Sequence, residues 1–441
     1  MRTGTTARSI AVTGAVLLAV TACGGGSSSS GDTGGSSGEK QVNVYGTDGN
    51  MGNALGKDFD KKGSLAGMKG TTPLTKLSSD FTDRLLKVDP KLQDFNYSGE
   101  TYDAVTLVAL AAQAAGTNDA NVFKNYVNGM TFGGDKCTDF KSCMDIIKAG
   151  GNVDYDGVSG PLAFTDAGEP ARASFGILQF QDDNTIHADK NKYVFAGDEA
   201  NAASNEGPAY AAAGATGAQL VIGYLLPQTG NLAFLGPPEV AGFQLAINDI
   251  NAAGGVLGQQ VRAEGGDSGD TSTDTATQTV DRLLQAGVNA IVGAASSGVS
   301  QTVIDTITGA GVMQISPANT SDIFTTYNDN GLYFRTAPPD TLQARALADL
   351  ITEDGNNTVG ILALNDPYGT GLAENTRKNL ISGGLAENDI QSIIYDPQAA
   401  NFDSEVQKMV DMNPDAIVVI GFEESSKIIQ GLNAQGIGPQ R

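Results

Sequence analysis

Apolar runs of strand length, each leading through a loop into a helical pattern, constrain this chain more than any other feature. That alternation is the pattern of parallel βαβ units. The clearest strands span 42–46, 220–226, 289–294, 312–316, 358–364 and 415–421. Helical patterns lie at 273–286, 340–352, 370–382 and 404–412. Phe243, Ala246, Ile247 and Ile250 share one face of another helix, which Gly254 and Gly255 end. The expected fold class is α/β with doubly wound parallel sheet, and a length of 441 residues suits two domains better than one.

The amino terminus reads as an export signal. Arg2 and Arg8 precede an apolar run at 10–20 that is too short to span a bilayer and ends in Val20-Thr21-Ala22-Cys23. That ending resembles a bacterial lipobox, which implies a signal peptide at 1–22 and a lipidated Cys23. An ordinary secretory signal cleaved nearby is the alternative. Residues 23–40 are rich in Gly and Ser, the composition of a flexible tether. Both readings export the protein, and lipidation would anchor it to the outer face of the bacterial cytoplasmic membrane. No second apolar segment has the length of a membrane-spanning helix.

Composition narrows the partners. A formal charge of −23 with no basic face argues against nucleic acid. Cys137 and Cys143 form a C-x5-C pair, expected to close a local disulfide in an oxidising compartment. With a single histidine, His187, in a polar region, neither a metal site nor a Ser-His-Asp mechanism is expected. Glycine-rich phosphate and dinucleotide fingerprints are missing, and Gly266-Asp267-Ser268-Gly269 lacks a histidine base. No cofactor is expected and the chain is not read as an enzyme. Residues 191–219, where Gly, Ala, Asn and Ser dominate, are expected to be a flexible linker ending in AAAGATG at 211–217.

The stretch 220–258, LVIGYLLPQTGNLAFLGPPEVAGFQLAINDINAAGGVLG, closely resembles the amino-terminal unit of the solute-binding proteins of branched-chain amino acid ABC transporters. Residues 220–441 resemble the first two thirds of that family and residues 41–184 its last third. In the family's order Gly438-Pro439-Gln440 would run into Gln41-Val42-Asn43, so the resemblance implies a circularly permuted chain. The break falls after a helix and before a strand, so no strand is cut, and a bridge of loop costs little extra closure entropy. The resemblance further implies a type I periplasmic-binding architecture of two lobes joined by three hinge crossovers near 71–75, 166–172 and 335–339. Lobe one would comprise 73–168 and 220–338, and lobe two 41–72, 169–190 and 339–441.

Ligands of open parallel sheets gather at the carboxyl ends of strands, so the loops there are the candidate site. After the strand at 289–294 come Ser296 and Ser297 at a helix start, suited to an α-carboxylate or simply to capping that helix. The loop Pro317-Ala318-Asn319-Thr320 resembles the family's S-P-x-x-T segment. It implies contacts from Ala318, Asn319 and Thr320 to an amino acid's carboxylate and ammonium, with a plain turn as the alternative. Asn365-Asp366-Pro367-Tyr368-Gly369 resembles the D-x-x-Y-G loop, which implies that Tyr368 reaches the ligand. Gly46-Thr47-Asp48-Gly49 stands where the family has G-x-E-G, which implies that Asp48 pairs with the ammonium; on its own, Asp-Gly is also an ordinary turn. Leu235 and Phe422 replace aromatics common in relatives and imply an apolar side-chain wall. Asp48 and Thr320 are expected to face an open, hydrated cleft that closes by hinge motion. The implied function is capture of a small amino acid with an apolar side chain, by a monomer that delivers it to an ABC permease. A lipid-anchored sensor of the same fold, binding an amide or organic acid, would use the same residues.

Overall fold

The computed structural model describes residues 41–212 and 214–439. The expected signal peptide, Cys23 and the Gly/Ser tether lie outside the described residues. In chain order the strands are β1 (Asn43–Gly46), β2 (Lys69–Pro73), β3 (Asp135–Cys137), β4 (Val153–Tyr155), β5 (Arg172–Gln179), β6 (Lys192–Gly197) and β7 (Val221–Leu226). They continue with β8 (Arg262–Asp267), β9 (Ala290–Gly293), β10 (Met313–Ser316), β11 (Tyr333–Arg335), β12 (Val359–Leu364), β13 (Ile390–Tyr395) and β14 (Ala416–Ile420).

Two sheets organise the molecule. One has seven strands in the order β13-β12-β14-β1-β2-β5-β6, the other five in the order β11-β10-β9-β7-β8. The five-stranded sheet is parallel throughout, and the larger one is parallel from β13 to β2, with β5 and β6 added antiparallel. The central strands β12 (VGILAL) and β14 (AIVVI) are buried along their whole length, which is why they read as unbroken apolar runs rather than alternations. β1 lies between β14 and β2, with Asn43 opposite Ala416, Val44 opposite Ile417 and Tyr45 opposite Val418. The segment after residue 41 is thus built into the same sheet as the end of the chain, and not into a domain of its own.

The helices Ser98–Ala115 and Gly236–Ala252 pack on each other in the core of the five-stranded lobe, with Phe123, Phe140 and Phe164 buried in the same cluster. Ser98–Ala115 is buried nearly all round, so it carries no amphipathic stripe that sequence patterning could reveal. The helix Asp340–Glu353 instead packs against β2, β5 and β6. Cys137 and Cys143 are joined as a disulfide, Cα–Cα 5.2 Å, pinning β3 to the helix Phe140–Lys148. No helix among the described residues is long and apolar enough to cross a membrane.

The chain passes between the sheets after β2, before β5 and after β11, matching the expected crossovers, and once more between β6 and β7. That fourth passage corrects the flexible linker expected over 191–219. Lys192–Gly197 is the edge strand β6, whose Val194 and Ala196 pack with Ala173, Phe175 and Ala346. Beyond it the chain is tied to the smaller lobe: Ala203 N–H donates to Phe164 O (2.8 Å), Ala211 N–H to Ala114 O (2.7 Å) and Gly217 N–H to Leu257 O (3.2 Å). Low apolar content concealed this order, because backbone pairing holds the segment.

Candidate functional site

Loops at the carboxyl ends of strands from both sheets converge on one small cavity of about 10 Å³. Asp48, Ser296, Ser297, Ala318, Thr320, Tyr368, Phe422 and Leu235 line it, together with Tyr97 and Leu232. The expectation of an open, hydrated cleft is corrected. Asp48 is only 6% exposed and Thr320 1%, because the two lobes close over them.

Asp48 follows β1 and accepts three hydrogen bonds, from Gln343 Nε2 (2.7 Å) and Tyr368 Oη (2.9 Å) at Oδ1 and from Tyr97 Oη (2.8 Å) at Oδ2. Burial pushes its carboxyl above the usual range, while those three donors pull it back. Tyr368 begins the helix Pro367–Ser382, capped by Asp366, and its ring stacks on Phe422 at 5.5 Å and 8°. The Tyr368 hydroxyl also meets Thr47 Oγ1 at 2.6 Å. Gly49 must be glycine for this approach, since a Cβ there would come within 2.6 Å of Gly421 O and 2.8 Å of Phe422 Cδ1.

Across the cleft, Ser296 caps the helix Ser297–Gly309 by accepting from Val299 N–H at 3.3 Å, and Ser297 Oγ accepts from Ser321 N–H at 3.3 Å. The capping alternative for Ser296 therefore holds alongside its place in the cavity wall. The first-turn N–H groups of Ser297 and Gly298 have no acceptor within their helix and favour negative charge there. Gly293 sets up this turn at the end of β9, with φ +121 and so little room that a Cβ would come within 2.0 Å of Leu225 O.

Asn319 is a correction: it does not line the cavity. Its Nδ2 donates to Ala295 O (2.8 Å) and its Oδ1 accepts from Tyr333 Oη (3.0 Å), so its amide is spent holding the loop. Tyr97 and Gln343 escaped the sequence reading. Tyr97 precedes a helix with φ +59, and Gln343 lies one turn into Asp340–Glu353; neither lies in a loop directly after a parallel strand. An Asp-Gly turn facing two later aromatic and amide positions has no sequence signature that links them.

The cavity wall holds a buried carboxylate, several hydroxyls and no Lys or Arg. Asp340 is fully buried nearby, and burial keeps its carboxyl well above the ordinary range, so it holds its proton and adds no charge beside Asp48. The wall therefore offers a carboxyl acceptor on one side and hydroxyls with a helix start on the other. No group of residues suited to a metal ion occurs among the described residues.

Two lobes of α/β sheet with a polar cavity at their strand ends define a hinged ligand-binding protein. The family profile described as periplasmic binding protein matches residues 219–441, and that described as receptor family ligand binding region matches residues 41–183. The chain belongs to the periplasmic binding protein family, of type I architecture, whose members bind solutes and are not enzymes. It is similar to Leu/Ile/Val-binding protein homolog 3 of Brucella melitensis, 26% identical over 219 residues, covering 49% of this chain and 58% of that protein. Leu/Ile/Val-binding protein BraC3 of Rhizobium johnstonii is 30% identical over 172 residues, 38% of this chain and 46% of that protein. Among solved structures, the branched-chain amino acid binding protein LivJ of Streptococcus pneumoniae with isoleucine matches at 28% identity and TM-score 0.43, over 50% of this chain and 62% of that one. A solute-binding protein from R. palustris in complex with benzoate matches at 20% and 0.42, over 50% and 61%. The alignments span about half of the curated relatives, from 46% to 61% of their lengths.

Proposed function

We propose that this protein captures an α-amino acid with an apolar side chain outside the cytoplasm and presents the closed complex to an ABC permease. The observation that carries this reading is Asp48: a buried carboxyl in a cavity lined by no Lys or Arg, facing the start of the helix Ser297–Gly309. The ligand ammonium pairs with Asp48, while its carboxylate takes the N–H groups and hydroxyls of the Ser296–Ser297 turn and the Thr320 hydroxyl. An aromatic acid without an ammonium would leave Asp48 unpaired beside a second anion. The Leu/Ile/Val-binding names of the relatives agree with this reading.

The same proposal includes export, anchoring through Cys23, action as a monomer, and a circularly permuted order of the two family segments. β1 beside β14 and the fourth passage between the lobes are what that order would require. Calorimetry of the full chain against the twenty amino acids, simple amides and benzoate tests the ligand class. Binding of benzoate or an amide with no amino acid bound would overturn it. Transport and sensing use the same site; neighbouring permease and ATPase genes would favour transport.

A further inference from the structure

The cavity that holds Asp48 is not the only space between the lobes. A second chamber of about 170 Å³ shares Gly49 and Phe422 with it as a common wall. The inner cavity, at about 10 Å³, has room for about one water molecule, whereas the outer one is many times larger. Buried Tyr97, Leu232, Leu235, Tyr368 and Phe422 crowd the inner wall, so in this closed form it leaves no room for a ligand's side chain.

We propose that the ligand's side chain runs past Gly49 and Phe422 into this outer chamber, so that the preferred amino acid carries an aromatic side chain without negative charge. The inference rests on the amino-acid reading above and names its substrate class. With no side chain at residue 49, the shared wall is partly bare backbone. The outer floor is apolar, formed by Ala54, Leu55, Ala233 and Phe234. Phe234, from the loop after β7, and Phe422, after β14, offer aromatic surface from opposite lobes, and aromatic pairs are favourable beyond the area they bury. Gly52 admits Phe234, since a Cβ there would already lie 3.0 Å from Phe234 Cε2. At the mouth stand Asp58 and Glu423, both exposed, whose charges oppose an anionic side chain.

The test is calorimetry of the full chain with alanine, leucine, phenylalanine and glutamate, for the parent and for Ala233→Trp and Ala54→Leu, each first checked by thermal melting. Phenylalanine should bind the parent at least about tenfold more tightly than alanine, and glutamate should bind least. Each substitution should weaken phenylalanine by about tenfold and leave alanine within about threefold. Ala54→Leu, the smaller change, decides the matter if the Trp variant does not fold. If alanine and leucine bind but phenylalanine gains nothing, or both variants bind phenylalanine as the parent does, the outer chamber is not a side-chain site and the amino-acid reading stands. If no amino acid binds, both fall.

Discussion

The Tyr97 hydroxyl donates to Asp48 Oδ2 at 2.8 Å across the cleft. Tyr97 precedes a helix packed in the five-stranded lobe, whereas Asp48 follows β1 of the seven-stranded sheet. The contact couples the charge that would receive the ligand to closure of the two lobes. Tyr97 makes it from a left-handed backbone, φ +59, a conformation that costs a non-glycine residue on the order of 1 kcal/mol or more. Ser321 Oγ donating to Pro367 O (2.9 Å) and Asn375 Nδ2 donating to Asp322 Oδ2 (3.0 Å) bridge the lobes farther out.

Tyr97→Phe keeps the ring and removes the bridge. Ligand affinity should fall by about 1 kcal/mol, the value of a hydrogen bond to a charged group after partial replacement by water. Small-angle scattering of the ligand-free variant should show a larger radius of gyration than the parent. An unchanged radius and affinity would mean that closure does not depend on this contact.

Two of the passages between the lobes are locked together by Arg335 and Glu169. Arg335 is 1% exposed; its Nε donates to Glu169 Oε2 at 2.9 Å, its Nη1 to Ser321 O at 2.7 Å, and its backbone N–H to Gly168 O at 3.0 Å. Glu169→Ala should destabilise the protein by about 3–5 kcal/mol, because it leaves a buried guanidinium without its counter-charge. A thermal melt within error of the parent would show that the pair contributes nothing to the hinge.

Several buried carboxyls set the pH dependence. Burial raises Asp103 to about 6, Asp366 to about 7 and Glu100 to about 8, and holds Glu239, fully buried with neither oxygen hydrogen-bonded, well above the ordinary range. Each keeps its proton in the folded state at pH values where the unfolded chain has lost it. Their contribution to stability is complete below the ordinary carboxylate range, about pH 4, and declines as pH rises through about 6 to 8. The melting temperature should therefore be higher at pH 5.5 than at pH 8. Glu239→Gln, which cannot ionise, should narrow that difference; a melting temperature that rises towards pH 8 would contradict the assignment.

Thr320→Ala removes one hydroxyl among several polar groups at the carboxylate end. It should cost about 1–3 kcal/mol of affinity, less than a change at Asp48. An equal or larger loss would place the ligand's charge at Thr320 instead.

What the sequence revealed, and what it hid, follows from how each element is stabilised. β1, β7, β9, β10, β12 and β14 sit in parallel sheet covered on both faces, so their apolar runs announce them. β8, RAEGGD, is an edge strand held by pairing with β7, and its two glycines read as loop. β6 looked like linker for a similar reason. At the site, strand-end position together with the family resemblance pointed to Asp48, Ser296, Thr320, Tyr368 and Phe422, which line one cavity because parallel-sheet topology brings those loops together. It misled for Asn319, whose buried amide is consumed by Ala295 and Tyr333, and it said nothing of Tyr97 or Gln343, which reach Asp48 from helix starts.

The central claim is that a ligand ammonium pairs with Asp48, and Asp48→Asn tests it most directly. The parent and the variant should be titrated calorimetrically, as full chains, with whichever of the twenty amino acids the parent binds most tightly. Asn also offers an amide donor where Tyr97, Tyr368 and Gln343 all donate, so a melting temperature lowered by the equivalent of about 1–3 kcal/mol should accompany the change. Affinity is predicted to fall by about 2–5 kcal/mol, because a buried ammonium loses its counter-charge. Binding as tight as the parent's, in a folded variant, would contradict the ammonium assignment and point to an amide or carboxylate ligand.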